Sequence, residues 1–187
     1  MAKTILNTAL GSLRGRVDGW VYRRQNGQLV VAKRPDFSEV VPTVAQLAVR
    51  ERFNQAASYA SQALADPAQH AVYTSLARER ESNAFAVALT DWLRPPEVFA
   101  IDVSGYHGAV GDPIVVRADD DVEVTGVVVT LRDTAEAVLE QGAALAANGA
   151  WVYTATTAVP AGTVLAIEAA ASDRPGHRGT RTVPWPA

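Results

Sequence analysis

The proline pair Pro95-Pro96 divides the chain into stretches whose apolar residues repeat with different periods. No regular helix runs through such a pair, because each ring removes a backbone donor and biases the preceding residue away from α. Upstream lie a basic hairpin pattern and Ala-rich helical segments. Downstream are short alternating runs of Val, Thr and Ala. Charge changes sign at the same place. Residues 1–95 carry 12 Lys/Arg against 8 Asp/Glu, a net of +4, whereas residues 96–187 carry 5 against 12, a net of −7. Two domains, 1–95 and 96–187, are therefore expected. The second, at about 90 residues, is long enough to bury its own core. The first relies on alanine, which buries little area, so partner surfaces are expected to supply part of its stability.

Trp20-Val21-Tyr22-Arg23-Arg24 and Leu29-Val30-Val31-Ala32-Lys33-Arg34 flank Gln25-Asn26-Gly27-Gln28. Asn-Gly supplies the two positive-φ positions of a tight hairpin turn, so residues 20–34 read as a β-hairpin. Gly11, Gly15 and Gly19 recur among Leu13, Arg14, Arg16 and Val17, which suits a third strand or loop. No Gly-Lys-Ser/Thr follows them, so this is no phosphate loop.

Thr43 opens a helix, with Gln46 completing a capping box. Leu47, Phe53, Ala57, Ala60 and Leu64 form its apolar face, with Arg50, Glu51 and Arg52 at the edge or on the wet side. Asp66-Pro67 caps a second helix that turns Val72, Tyr73, Leu76 and Ala77 inward. Arg78-Glu79-Arg80-Glu81 follows as a solvated face. A third helix is expected over Asn83–Leu93, capped by Ser82, with Phe85, Leu89 and Trp92 inward. Beyond the prolines, strands are expected at Val98–Val103, Pro113–Ala118, Val122–Leu131, Ala137–Ala144, Ala150–Thr156, Thr163–Ala171 and Arg178–Val183. Turn chemistry separates them at Ser104-Gly105, Gly111-Asp112, Asp119-Asp120-Asp121, Asn148-Gly149, Pro160-Ala161-Gly162 and Pro175-Gly176. Seven short strands so punctuated indicate an antiparallel β-sandwich, with Trp151 and Tyr153 as core anchors.

Ala118-Asp119-Asp120-Asp121-Val122-Glu123-Val124-Thr125-Gly126 and the Val127–Leu131 run resemble the second and third strands of bacterial immunoglobulin-like domains. Trp151–Ala155 and the stretch Ile167–His177 are similar to the later strands and final hairpin turn, with Gly176-His177 where the family often has Gly-Asn. The fold class so implied is α+β: an N-terminal β-hairpin and three-helix region, then a seven-stranded antiparallel immunoglobulin-like β-sandwich. That sandwich serves adhesion, spacing, polymerisation and carbohydrate contact alike. Gly15, Gly19, Val21, Gly27, Val31, Arg34, Pro35, Gln46 and Phe53 resemble a poorly characterised bacterial hairpin-plus-helix module that implies organisation and no chemistry.

Catalytic, cofactor and metal sites are not expected. Cysteine is absent, so there is neither a disulfide framework nor thiolate chemistry. His70, His107 and His177 lie in separate segments, without a second ligand at metal spacing. Ser104, His107 and Asp102 assemble a triad only on paper, since Ser104-Gly105 reads as a turn. Asp119, Asp120, Asp121 and Glu123, with Asp102, Asp112 and Asp173 as further acids, read as a solvated turn. Calcium binding there is the alternative, but the spaced ligand-Gly-ligand pattern is missing.

Residues 1–34 carry 7 Lys/Arg and 1 acid. The expected role is a non-enzymatic structural subunit that self-assembles through its N-terminal half into a filament, tube or phage-like particle and displays the β-domain outward. Arg14, Arg16, Trp20, Tyr22, Arg23, Arg24, Val30, Val31, Lys33 and Arg34 are the expected interface, with the chain itself as partner. A surface-binding module taking a protein or glycan at the sandwich loops is the alternative. A nucleic-acid accessory role is third, and the overall charge of −3 argues against it. The N-terminus lacks the apolar core of a secretory signal, and no stretch reaches about 20 apolar residues. Cytoplasmic synthesis without a membrane span is expected, and an extracellular or particle assembly is compatible with it.

Overall fold

The computed structural model describes residues 14–25, 28–36, 41–160 and 162–186. Its contacts divide the chain into two compact units, Met1–Val44 and Ala45–Ala187. The division thus falls ahead of the helices, not at Pro95-Pro96, and the helices belong with the downstream strands.

The first unit contains β1 (Gly15–Val17), β2 (Trp20–Gln25) and β3 (Gln28–Lys33), hydrogen-bonded in that order. Both connections span two residues, since Val17 faces Trp20 and Gln25 faces Gln28. Asp18 and Gly19 both have positive φ, the conformation an Asp-Gly turn adopts. The expected turn Asn26-Gly27 lies outside the described residues, as does Gly11.

The second unit begins with three helices, which occupy the middle of the chain between two sheets: α1 (Val44–Ala65, whose first residue belongs to the first unit), α2 (Pro67–Glu79) and α3 (Ala84–Leu93). Ala56, Ala60 and Ala63 bury one stripe of α1, spaced at i, i+4 and i+7. Ala60 and Ala63 join Tyr73, Ala77, Val87 and Ala88 in a small core that also receives Val122 from the strand region. Asp66 caps α2 as expected, its carboxylate accepting from the Ala68 and Gln69 N–H groups at 2.8 and 3.3 Å. The cap of α3 is Asn83, not Ser82. Asn83 Oδ1 accepts from Ala86 N at 2.8 Å, while the Ser82 N–H closes the end of α2 on the Ala77 carbonyl. The buried face also differs from the expected one, and Leu89 packs only at the edge of the core. Val87, Ala88 and Asp91 are inside, and Phe85 is 39% exposed.

Seven strands follow: β4 (Glu97–Asp102), β5 (Pro113–Asp119), β6 (Gly126–Arg132), β7 (Val138–Ala147), β8 (Ala150–Thr154), β9 (Leu165–Ser172) and β10 (Arg178–Trp185). All pair antiparallel, in the order β10-β9-β6-β7-β8-β5-β4. β7 is the hinge of this order. Its residues Val138–Ala144 pair with β6, and Leu145–Ala147 pair with β8. The two end strands, β4 and β10, lie against each other, so the sheet curls almost into a barrel. Gly179 makes that approach possible, because a side chain there would overlap the Pro96 carbonyl. One apolar core fills the interior, with Ile114, Val116, Val127, Val129, Leu131 and Ile167 almost wholly enclosed. Tyr153 is buried there as expected, and Trp151 is packed at its margin.

The expected strand Val122–Leu131 starts four residues late. Asp120 Oδ2 accepts from the N–H groups of Val122 and Glu123, both at 3.0 Å, and this turn carries Val122 into the helical core. Among the described residues, no helix is long and apolar enough to cross a membrane.

Candidate functional site

Alternation along each strand sorts the expected interface residues of the ribbon onto two faces. The register places Val17 beside Trp20 and Trp20 beside Lys33, with Tyr22 beside Val31 and Arg24 beside Leu29. One face therefore carries Val17, Trp20, Tyr22, Leu29 and Val31, bounded by Arg24 and Lys33. The opposite face carries Arg16, Val21, Arg23, Val30 and Ala32, with Arg34 next in the same alternation and Arg14 just ahead of β1. The ten residues thus do not form one patch. They divide into an aromatic-aliphatic face and a cationic one.

None of the described side chains in this ribbon is buried. Val17, Trp20 and Val31 are 54%, 48% and 45% exposed. Large apolar groups left that open are unusual for a finished surface. Arg16, Lys33 and Arg34 also line a hollow of about 900 Å³ with Gly19, Val21, Pro35 and Asp36. Charge divides between the units: residues 1–44 hold 7 Lys/Arg against 3 acids, and residues 45–187 hold 10 against 17.

A second unfinished surface lies on α1. Every residue of its first half, up to Gln55, is exposed, including Leu47 and Phe53, which were expected to face inward. The helix is about 33 Å long at 1.5 Å per residue, and only its C-terminal half is covered by α2 and α3.

Polar groups gather where the helices meet the strand connections. Tyr73 Oη donates to Asp91 Oδ2 at 2.5 Å and lies 2.7 Å from Tyr59 Oη. Asp91 is fully enclosed, and burial pushes its carboxyl up to about 6 against the opposing pull of the Tyr73 bond. Burial, then the bond to Asp91, drives the Tyr73 hydroxyl far upward. Asp121 receives the guanidinium of Arg94 at 3.1 Å, and its carbonyl receives Arg80. Glu123 pairs with Arg174, and Trp92 meets the His177 ring edge-on at 5.0 Å. The expected solvated acidic turn is therefore a joint held by three arginines, with Asp119 alone of the three aspartates exposed. Asp91 Oδ1, Asp120 Oδ1 and Arg174 Nε are buried without a hydrogen-bond partner among the described residues. No group of three or more His, Asp or Glu side chains there is placed to hold a metal ion.

The paper triad is two turns. Asp102 accepts from the Ser104 N–H at 2.9 Å, and the His107 N–H goes to Asp112 at 2.8 Å. A buried carboxylate that sequence reading passed over is Glu140 on β7. It accepts from Tyr153 Oη at 2.6 Å and Thr156 Oγ1 at 2.8 Å. Burial alone would raise its carboxyl, but these bonds and those from the Thr156 and Thr157 N–H groups hold it below the ordinary range. Asp91 and Glu140 carried a weak signal, each being an acid inside an apolar stretch.

No protein-family model, curated protein or solved structure matches the chain.

Proposed function

We propose that the protein is a non-enzymatic structural subunit whose copies associate through the N-terminal ribbon into a filament, tube or phage-like particle. The seven-stranded unit is displayed outward, as an immunoglobulin-like β-sandwich. The observation that carries the reading is the ribbon itself. It has three short strands, an aromatic-aliphatic face and no buried side chain among the described residues. A ribbon of this size is marginal in water by itself, and packing on its apolar face would stabilise it. The protruding half of α1 is a further apolar surface, and the opposite charges of the two units favour contact between unlike ends of neighbouring copies. Support for the sandwich comes from β7, whose Val138–Ala144 pair with β6 and Leu145–Ala147 with β8, so that one strand serves both halves of the order around one core. Negative-stain microscopy and sedimentation across a range of concentration test the proposal. Ordered polymers are expected, and a monodisperse monomer at every concentration and salt overturns it.

A surface-binding role is favoured by a different feature. The outer face of β7-β6-β9-β10 holds a depression of about 520 Å³, floored by Val128, Ala143 and Ala170 and flanked by Gln141, Glu168 and Arg178. A small-residue floor between polar groups suits a glycan or peptide. Glycan-array binding that is lost in Arg178→Ala would support this role.

A further inference from the structure

We infer that one contact between copies is the outer edge of β3, unpaired among the described residues, joined antiparallel with the same edge of a second copy about a two-fold axis through Val31, a contact that rests on the self-assembly reading. The hydrogen-bond parity of the ribbon points to this edge. Arg34 N donates to Gly19 O at 2.7 Å, so Gly19 and Arg34 are a bonded pair. Bonded and non-bonded pairs alternate along an antiparallel ladder. Val21 with Ala32 and Arg23 with Val30 are then bonded, while Trp20 with Lys33, Tyr22 with Val31 and Arg24 with Leu29 are not. The N–H and C=O groups of Leu29, Val31 and Lys33 consequently point away from β2, along the outer edge.

Other edges among the described strands offer less. β1 has three residues, and β4 and β10 close on each other. β3 is six residues long, and the chain places no proline within it. An open strand of that length is a template for another strand unless something blunts it.

The choice of register follows from charge and bond count. Centring the axis on Val31 sets Leu29 opposite the second copy's Lys33 and Val31 opposite its own equivalent. Three opposed pairs then exchange about six hydrogen bonds, two for each pair. Centring on Lys33 would bring two ammonium groups face to face and leave Leu29 unpaired, and centring on Val30 would forfeit the bonds of Lys33. The Val31 register also joins the two aromatic-aliphatic faces side by side, so that Tyr22, Leu29 and Val31 of both copies form one continuous apolar sheet face.

The cysteine-free chain makes a direct test possible. Opposite residues at non-bonded positions bring their side chains closer, with Cα atoms about 4.5 Å apart and within disulfide range, and in this register Val30 faces the second copy's Ala32. Under mild oxidation the Val30→Cys/Ala32→Cys double variant is expected to form a covalent dimer, and Val30→Cys or Ala32→Cys alone to form none. Val31→Pro removes an outward N–H without taking a bond from β2, so it separates the copies while sparing the ribbon. Its association should need at least about tenfold more protein in sedimentation. The β3 contact is overturned if the Val30→Cys/Ala32→Cys double variant forms no covalent dimer, or if Val31→Pro associates like the parent chain. Self-assembly would survive that result as long as the parent chain polymerises, whereas a monomeric parent chain removes both.

Discussion

Asp91 and Glu140 are both enclosed carboxyls, yet their surroundings push them in opposite directions. Glu140 has four hydrogen bonds to its carboxylate, enough to overcome the cost of burial. Its stabilising contribution is complete above the ordinary glutamate range and disappears as pH falls through its lowered folded value. Glu140→Ala strands the Tyr153 hydroxyl and the Thr156 and Thr157 donors. A loss of about 3 kcal/mol is expected by urea unfolding at pH 7, and a loss within error of zero would contradict the role assigned to it. Asp91 has one such bond, and its carboxyl is raised to about 6. The folded chain therefore holds a proton there that the unfolded chain has released, between about pH 4 and pH 6. Asp91 by itself should lower stability by about 3 kcal/mol as pH rises through that window, with Glu140 acting in the opposite sense at its lower end. Asp102 is held low first by the Ser104 hydroxyl and Asp112 by the Ala109 and His107 N–H groups, so both act at lower pH and leave the window clear. Asp91→Asn should flatten the slope between pH 4 and pH 6, and an unchanged slope would assign it to another group.

Elements differ in how completely their sequence patterns are used. The apolar stripe of α1 continues past the point where α2 and α3 end, so its C-terminal alanines are buried while Val49 and Phe53 are not. Packing, not helix propensity, separates the two halves. In the seven-stranded sheet, Gly179 lets β10 lie against β4, where a methyl group would meet the Pro96 backbone. Gly179→Ala should cost about 2–3 kcal/mol or more and expose the β4 amides to hydrogen exchange. Protection of Val98–Ile101 equal to that of the parent chain would show that the closure matters little. Gly142 is a comparable case inside the sheet, since a Cβ there would come within 2.7 Å of the Tyr153 ring. The exposed Arg94–Asp121 pair, by contrast, is worth about 0–1 kcal/mol, and its loss should scarcely change stability.

At the scale of the molecule, the helices and seven strands share one compact unit, and the ribbon belongs to the other. Removing residues 1–34 should leave a product that still unfolds cooperatively in urea and forms no polymers. Polymers persisting in that deletion would move the contact to α1 or the sheet. Because residues 1–44 are net positive and residues 45–187 net negative, a contact between unlike ends should weaken as salt rises from about 0.05 to 0.5 M, whereas the β3 contact joins two net-positive ribbons and should not. Association that strengthens with salt would instead mark the aromatic-aliphatic face as the dominant contact.

Local chemistry was enough to place seven strands beyond the proline pair, three helices before it, and the Asn148-Gly149 and Asp66-Pro67 signals at their boundaries. These depend on neighbours in the chain, so the sequence determined them by itself. Asp18-Gly19 was equally legible as a turn, but the spaced glycines around it drew attention away. What local pattern left open was decided by contacts between distant residues. Ser82 and Asn83 both satisfy a helix cap, and only the end of α2 settles which one does. Leu47 and Phe53 have the spacing of a core face, yet burial depends on where the neighbouring helices stop. An acid in an apolar stretch takes on the character of Asp91 or of Glu140 according to the donors brought to it from elsewhere in the fold. The curl that sets β4 against β10 is likewise tertiary, because pairing order is a property of the whole sheet and of no strand in it.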